Sequence, residues 1–333
     1  MSTPPLVTIV IPAFNTASFI GEAIASVRAQ TLDDWQLTVV DDGSADDTLS
    51  AAQAAAGNDP RIQIIRFERN AGISAASNAG FDAARGEFIA RLDSDDRALP
   101  NRLAVQVAAF RSNERLAAAG SSARIFGAAD GVAPAVLGDA NLKARLSWSP
   151  NTIGGNSMMV RRAFVRRHGI RFDDDLRSSE DLDYIASVVA AGGELANVDE
   201  VLFEHRAHAG SFTHSQHALA RSQLQIVRRR ILRLWYPQLA GEDIDHVVAM
   251  FVEPYAPQLD ALLNTVRALD RLLKAAPADY GQDNAVVHSI LLERLPAMAT
   301  LYRDHQLLNA SHLQAVRCFA HPAIGEALDT LNL

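Results

Sequence analysis

Four short apolar runs alternate with three helical periods in the first hundred residues, and little else that a chain can fold into accommodates that pattern. Leu6 to Ile11 is β-branched and apolar and meets Pro12, so it reads as a buried strand ended by the proline. Thr16 to Gln30 then carries Phe19, Ile20, Ala23, Ile24 and Val27 at helical spacing. Gln36 to Val40 is a second strand, and Asp46 or Asp47 caps a helix through about Ala56. Arg61 to Phe67, Ile73 to Ala84 and Phe88 to Leu92 repeat the pattern as strand, helix and strand. Repeated β-α-β units predict an α/β fold whose mostly parallel, twisted sheet has helices on its faces. Ligands of such sheets sit beyond the carboxyl ends of the strands. Asp41-Asp42-Gly43-Ser44 and Asp93-Ser94-Asp95-Asp96 both lie at such ends.

The region from about Asn101 to Gly210 is less regular, with a Gly/Ala/Pro-rich stretch at 127–138 expected to be a surface loop. After residue 212 the strand signals stop and helical runs continue to Leu333. The expected organisation is a first domain of 1–212, in halves 1–100 and 101–212, and a helical domain of 213–333. With 31 basic and 39 acidic residues the net charge is −8, which excludes a general nucleic-acid binder. A single cysteine, Cys318, excludes a disulfide scaffold. No apolar stretch approaches the roughly 20 residues that cross a bilayer. The expectation is a soluble, cytoplasmic protein that touches a membrane surface without crossing it.

On an extended segment Asp93 and Asp95 face the same side, so both carboxylates reach one small object. A divalent cation relieves their repulsion, and Mg²⁺ or Mn²⁺ favours one or two carboxylates plus substrate phosphates. The bland alternative is a polar turn with Asp96 capping the helix that follows Pro100. Asp42 can accept from a base N–H or a ribose hydroxyl, and Phe14, just past the first strand, can stack on a base. Taken together, an aromatic, a carboxylate and a carboxylate pair describe a nucleoside-diphosphate site better than three separate caps. Glu180 and Asp181 begin a helix, and either is a candidate general base for a sugar acceptor hydroxyl. His208 could complete a metal shell, and Arg206 could pair with a diphosphate.

These residues, in this order, resemble the family 2 glycosyltransferases with the GT-A fold. The matching stretches are VTIVIPAFN (7–15), QLTVVDDGSADDT (36–48), NAGISAASNAG (70–80), GEFIARLDSDD (86–96), SSEDLDY (178–184) and HRAHAGS (205–211). The resemblance implies an inverting transferase that uses a nucleotide-sugar, usually a UDP-sugar, with Mn²⁺ or Mg²⁺. It implies that Pro12 and Phe14 line a uracil pocket, Asp42 contacts the uracil and Asp93 lies near the ribose. It further implies Asp95 and His208 as metal ligands and Asp181 as the base, with Glu180 its neighbour. Ser77 departs from the family, which often has arginine there. The acceptor is expected to be a glycan or lipid-linked hydroxyl met by Trp148, Asn156 and Arg206. A nucleotidyltransferase and a catalytically silent nucleotide-sugar binder are the alternatives.

From Arg206 to Gly241 there are six arginines and no acidic residue. The helical period expected there puts Leu224, Val227, Ile231, Leu234 and Trp235 on one face and Arg229, Arg230 and Arg233 opposite. Such a helix can lie on an anionic membrane or simply pack with a solvated basic face. The apolar remainder of the tail is expected to form a homodimer contact or to support the acceptor.

Overall fold

The computed structural model describes residues 4–146, 152–211, 216–251, 259–275, 278, 280–304 and 308–329. The α/β alternation opens as β1 (Val7–Ala13), α1 (Ile20–Arg28), β2 (Trp35–Asp41), α2 (Thr48–Ala56), β3 (Ile62–Arg66), α3 (Ile73–Ala83) and β4 (Phe88–Arg91). It continues with β5 (Arg97–Ala98), α4 (Arg102–Ser112), β6 (Leu116–Gly127), β7 (Gly131–Ala133) and α5 (Asp139–Leu146). Then come β8 (Met159–Arg161), α6 (Arg162–Arg167), α7 (Glu180–Ala190) and β9 (Glu194–Ala207). The sheet runs β3-β2-β1-β4-β8-β6-β9-β5, with β7 paired to β6. The first four strands of that order are parallel, β8 is antiparallel to β4 and β6, and β9 is parallel to β6 and antiparallel to β5.

The chain divides into two compact units, one of 1–142 and 150–223, the other of 143–149 and 224–333. In the first, Val7, Ile9, Ile11, Leu37, Val39, Phe88 and Ala90 are buried with the α1 residues Ile20, Ala23, Ile24 and Val27. Each valine, leucine, isoleucine or phenylalanine side chain so removed from water contributes about 1.5–3 kcal/mol, which is why the apolar runs become the central strands.

In the second unit, described by itself, the helices are α8 (His217–Trp235, from residue 224), α9 (Gly241–Ala249), α10 (Leu259–Lys274), α11 (Asn284–Glu293), α12 (Leu295–Asp304), α13 (Ala310–Phe319) and α14 (Pro322–Asp329). Val247, Leu269, Leu272, Leu291, Leu295 and Ile324 are fully buried. Asp283 caps α11 through the Ala285 and Val286 N–H groups, and Asn309 caps α13 through that of His312. Arg271 pairs with the buried Asp243. Among the described residues no helix is long and apolar enough to cross a membrane.

Several expectations change. Pro12 does not end β1, because it stands in register with Val40 of β2. Val10 accepts from Leu92 N–H on the β4 side, and Pro12 faces that side past the last β1–β4 pair, Val10 with Arg91. Its missing N–H therefore leaves no ladder bond unmade. The helix expected from Thr16 begins at Ile20, since the Asn15, Thr16 and Ala17 N–H groups bond to Ser44, Thr48 and Asp46 side chains instead. The stretch 127–138 is not all loop, for β7 folds back on β6. On α8, Leu234 is exposed, against the expected apolar face, whereas Val227, Ile231 and Trp235 are buried as the period requires; Arg228, which breaks the period, is buried too.

Gly43 shows how tightly the turn after β2 is built. Its φ is +66°, and a Cβ there would lie 2.5 Å from the Arg69 carbonyl carbon. Gly43→Ala is expected to cost more than about 1–2 kcal/mol, the left-handed penalty alone, and urea unfolding at equilibrium measures it.

Candidate active site

Because β1, β2 and β4 are parallel, their carboxyl ends gather at one edge of the sheet. Phe14 follows β1 there and is exposed (44%), beside the buried Pro12. Asp42 follows β2, is 2% exposed, and already accepts three hydrogen bonds. Asn70 Nδ2 donates at 2.9 Å, Ala71 N–H at 2.7 Å and Gly72 N–H at 2.8 Å. Burial pushes its carboxyl above the ordinary range, and the two backbone donors oppose the rise. Its neighbour Asp41, 1% exposed, accepts from Ser44 N–H on Oδ1 and has no hydrogen bond on Oδ2. Sequence reasoning chose Asp42 as the base contact; the Asp41 oxygen that lacks a hydrogen bond lies 3.9 Å from Arg66 Nε. The doubled aspartate was the visible signal.

Past β4, Asp93, Asp95 and Asp96 each bring a carboxylate oxygen within 4.8 Å of the others. They are not equivalent. Asp93 Oδ1 is 3.0 Å from Arg91 Nη2. Asp96 is fully buried and does not cap the next helix, whose cap position is Asn101. It accepts instead from Asn156 Nδ2 (2.8 Å) and Arg206 N–H (2.8 Å), and faces His205 Nδ1 at 3.2 Å. That bond to Asp96 pushes His205 up to about 9. Asp95 faces His208, Nε2 to Oδ2 being 2.9 Å across 113 residues of sequence. Hard carboxylate oxygens with one imidazole suit Mn²⁺ or Mg²⁺, so the donor set fits the expected ion, with Asp95 and His208 as the pair to hold it.

Glu180 and Asp181 open α7 directly after Ser179, whose φ of +60° is one of two positive values at non-glycine positions among the described residues. The other, Asn15, follows Phe14. Strained backbone thus borders the site twice. Asp181 Oδ2 accepts from Gly155 N–H at 2.8 Å. Glu180 Oε1 accepts from Arg91 Nη1 at 2.9 Å. Burial pushes both carboxyls up, and Arg91 opposes the rise in each. A carboxylate lifted toward neutrality is the kind a general base needs.

The acceptor-side expectations meet a mixed outcome. Asn156 spends its amide on Asp96. Arg206 is largely buried, with Nε on the Asp95 carbonyl at 2.9 Å and Nη2 on Glu22 at 2.8 Å. Trp148 lies outside the described residues. Ser77 is fully buried with no hydrogen bond to its hydroxyl, so the guanidinium that reaches the carboxylates comes from Arg91 of β4 instead. Sequence reasoning missed Arg91, Asp96 and His205. An arginine inside an apolar strand was the available signal.

Residues 8–167 match the family model described as glycosyl transferase family 2. The succinoglycan biosynthesis protein ExoO of Rhizobium meliloti is 36% identical over 227 residues, 63% of each chain. The chain therefore spans less than two thirds of that relative's length. An uncharacterized glycosyltransferase of Haemophilus influenzae is 30% identical over 260 residues, 73% of this chain and 78% of that one. Among solved structures, Staphylococcus aureus TarS 1–349 in complex with UDP-GlcNAc matches with a TM-score of 0.58 at 17% identity, over 98% of this chain and 91% of that one.

In the metal-free protein the His205 ring is expected to titrate near pH 9, and Asp96→Asn to return it toward the ordinary value, about 6.5, by NMR. Because the folded pKa is the raised one, this contact's stability is full below about pH 6.5 and lost as pH rises through about 9.

Proposed function

This chain belongs to glycosyl transferase family 2 and has the GT-A fold, and from that premise we propose that it transfers a sugar, with inversion, from a UDP-sugar to a hydroxyl of a glycan or lipid-linked acceptor in surface polysaccharide synthesis. The observation that carries the reading is the meeting of two sets of carboxylates at one sheet edge. The Asp93–Asp95–Asp96 cluster with His208 forms one, and Glu180–Asp181 the other, with Arg91 bonded to both.

The base and ribose are met at the ends of β1 and β2, where Pro12 and Phe14 offer an apolar wall and Asp42 and Asp41 offer acceptors for base N–H and ribose hydroxyls. Asp93 lies near the ribose. Asp95 and His208 would hold Mn²⁺ or Mg²⁺. When bound, the ion supplies Lewis-acid neutralisation of the charge that develops on the diphosphate leaving group. Asp181, with its carboxyl raised by burial, takes the proton from the acceptor hydroxyl as that oxygen attacks the anomeric carbon. Attack opposite the leaving group turns an α-linked donor into a β-linked product. Glu180 orients the base from the preceding position. Support for the donor class comes from the likeness to TarS bound to UDP-GlcNAc, and support for the product class from the succinoglycan relative.

The protein works at the cytoplasmic face of a membrane. Exposed Ile226 and Leu234 beside exposed Arg230 and Arg233 on α8 suit peripheral contact with anionic lipid. The domain of 1–212 carries the chemistry, and the helical region of 213–333 forms a contact with a second copy.

A thermal-shift titration tests the donor half. UDP with Mn²⁺ is expected to raise the melting temperature of the wild type by mass action and to leave Asp95→Ala unmoved. Asp181→Asn is expected to keep that shift and to lower acceptor-dependent UDP release by about 10²–10⁴-fold. Stabilisation by no nucleotide, with or without metal, overturns the proposal.

A further inference from the structure

Arg91 is an arginine inside a central strand, flanked by Ala90 and Leu92, both fully buried. Its own side chain is 2% exposed. The backbone is pinned on both sides, with its N–H on the Met158 carbonyl at 2.8 Å and its carbonyl accepting from Arg102 Nη2 at 2.6 Å. Arg102 is itself buried and braced on Gln106. The side chain divides its two terminal nitrogens between two carboxylates. Nη1 reaches Glu180 Oε1 at 2.9 Å, and Nη2 reaches Asp93 Oδ1 at 3.0 Å. Those carboxylates are 87 residues apart in sequence, one after β4 and one at the start of α7.

The surroundings leave the guanidinium little freedom. Its Cζ lies 5.7 Å from the centroid of Phe172, whose ring stacks on Tyr184 of α7. Gly155 covers it, since a Cβ on that glycine would lie 2.7 Å from Nη1 and 2.8 Å from Cζ. The Gly155 N–H is also the donor to Asp181 Oδ2. The next residue, Asn156, donates to Asp96. One cation therefore underlies a loop that holds the base carboxylate at one residue and the metal-side cluster at the next.

We infer that Arg91 is a positioning residue for sugar transfer, holding Glu180 and the Gly155 loop so that the Asp181 carboxylate keeps a fixed place relative to Asp93 and its neighbours. The inference rests on the transferase reading above and deepens it. The adjacent carboxylates at buried Glu180 and half-buried Asp181 repel, and the cation that meets Glu180 relieves that repulsion where α7 starts. A planar guanidinium does so with its two terminal nitrogens held at fixed angles, one on Glu180 and one on Asp93, which a point charge does not. Arg91 touches neither donor nor acceptor in this scheme, so its loss acts through the groups it holds, chiefly Glu180 and the Gly155 loop beside Asp181 and, to a lesser degree, Asp93.

Arg91→Ala would leave Glu180 buried without its partner and is expected to fold poorly. Arg91→Lys keeps the charge and loses the fork, and Glu180→Gln keeps the shape and loses the charge. With UDP release as the assay, Arg91→Lys is expected to lower kcat roughly 10- to 100-fold while the donor KM and the UDP–Mn²⁺ affinity, reached only through Asp93, change by clearly less than kcat does. Glu180→Gln is expected to lower kcat similarly, and the double variant to lose no more than the worse single one, because both break one linkage. Hydrogen exchange on the unliganded protein gives a readout independent of turnover. The amides of Gly155 and Leu182, both donors to Asp181, are expected to exchange faster in Arg91→Lys, with the β1 and β2 amides unchanged.

Wild-type kcat in Arg91→Lys, a loss of UDP–Mn²⁺ affinity in step with kcat, simple multiplication of the two single losses, or unchanged exchange at Gly155 and Leu182 overturns the inference. A wild type that releases no UDP from any donor overturns the transferase reading instead, and the exchange experiment then still decides whether Arg91 holds Asp181.

Discussion

A charge withdrawn from water must be met within the protein, and at the end of β4 that requirement organises everything around it. Arg91 is buried between Asp93 and Glu180, and Asp96 is buried among an amide, a backbone N–H and an imidazole. Neither group could be where it is without partners delivered from distant parts of the chain. The loop at 154–157, the start of α7 and the end of β9 are therefore tied to one strand end by electrostatics rather than by apolar packing. Desolvation of this kind is a poor source of stability, because a buried pair recovers little more than it loses. What it supplies is definition, since each partner has one place where its charge is answered.

The cluster past β4 also divides its labour. Three aspartates close together look interchangeable in sequence, yet their partners give them different freedom. Asp96 is committed on all sides, Asp93 leans on Arg91, and Asp95 meets only the His208 ring among the contacts described. A site in which one carboxylate fixes the frame and another stays adaptable suits a ligand that arrives with its own phosphates. A similar division recurs at the end of β2, where Asp42 ties down the turn at 70–72 by hydrogen bonds and Asp41 keeps one oxygen free of hydrogen bonds, facing only the Arg66 guanidinium at 3.9 Å.

Much of this was legible before any coordinates. Short apolar runs and the helical period between them located the first four strands and the three intervening helices, because those runs are apolar and bounded by turn residues. The pairing of Asp95 with His208 followed from motif order, although 113 residues separate them. What escaped the sequence was direction. Whether Asp41 or Asp42 turns toward a partner depends on where the ladder with β1 stops. Whether Asp96 caps α4 or faces β9 depends on donors that arrive from residues 156 and 205–206. Asn156 and Arg206, read as groups open to an acceptor, spend their hydrogen bonds inside the chain. Arg91 drew no reading, because nothing local shows what it bonds to. Each of these depends on long-range geometry that no window of the chain contains.

Pro12 carries a consequence of a different kind. Past Val10 the β4 flank of β1 has no paired strand, and Pro12 there is buried. Any other residue would carry an N–H into that place with no ladder partner, at a desolvation cost of about 1–3 kcal/mol. A proline carries no donor, so the strand runs on to the site without an orphaned polar group in its wake.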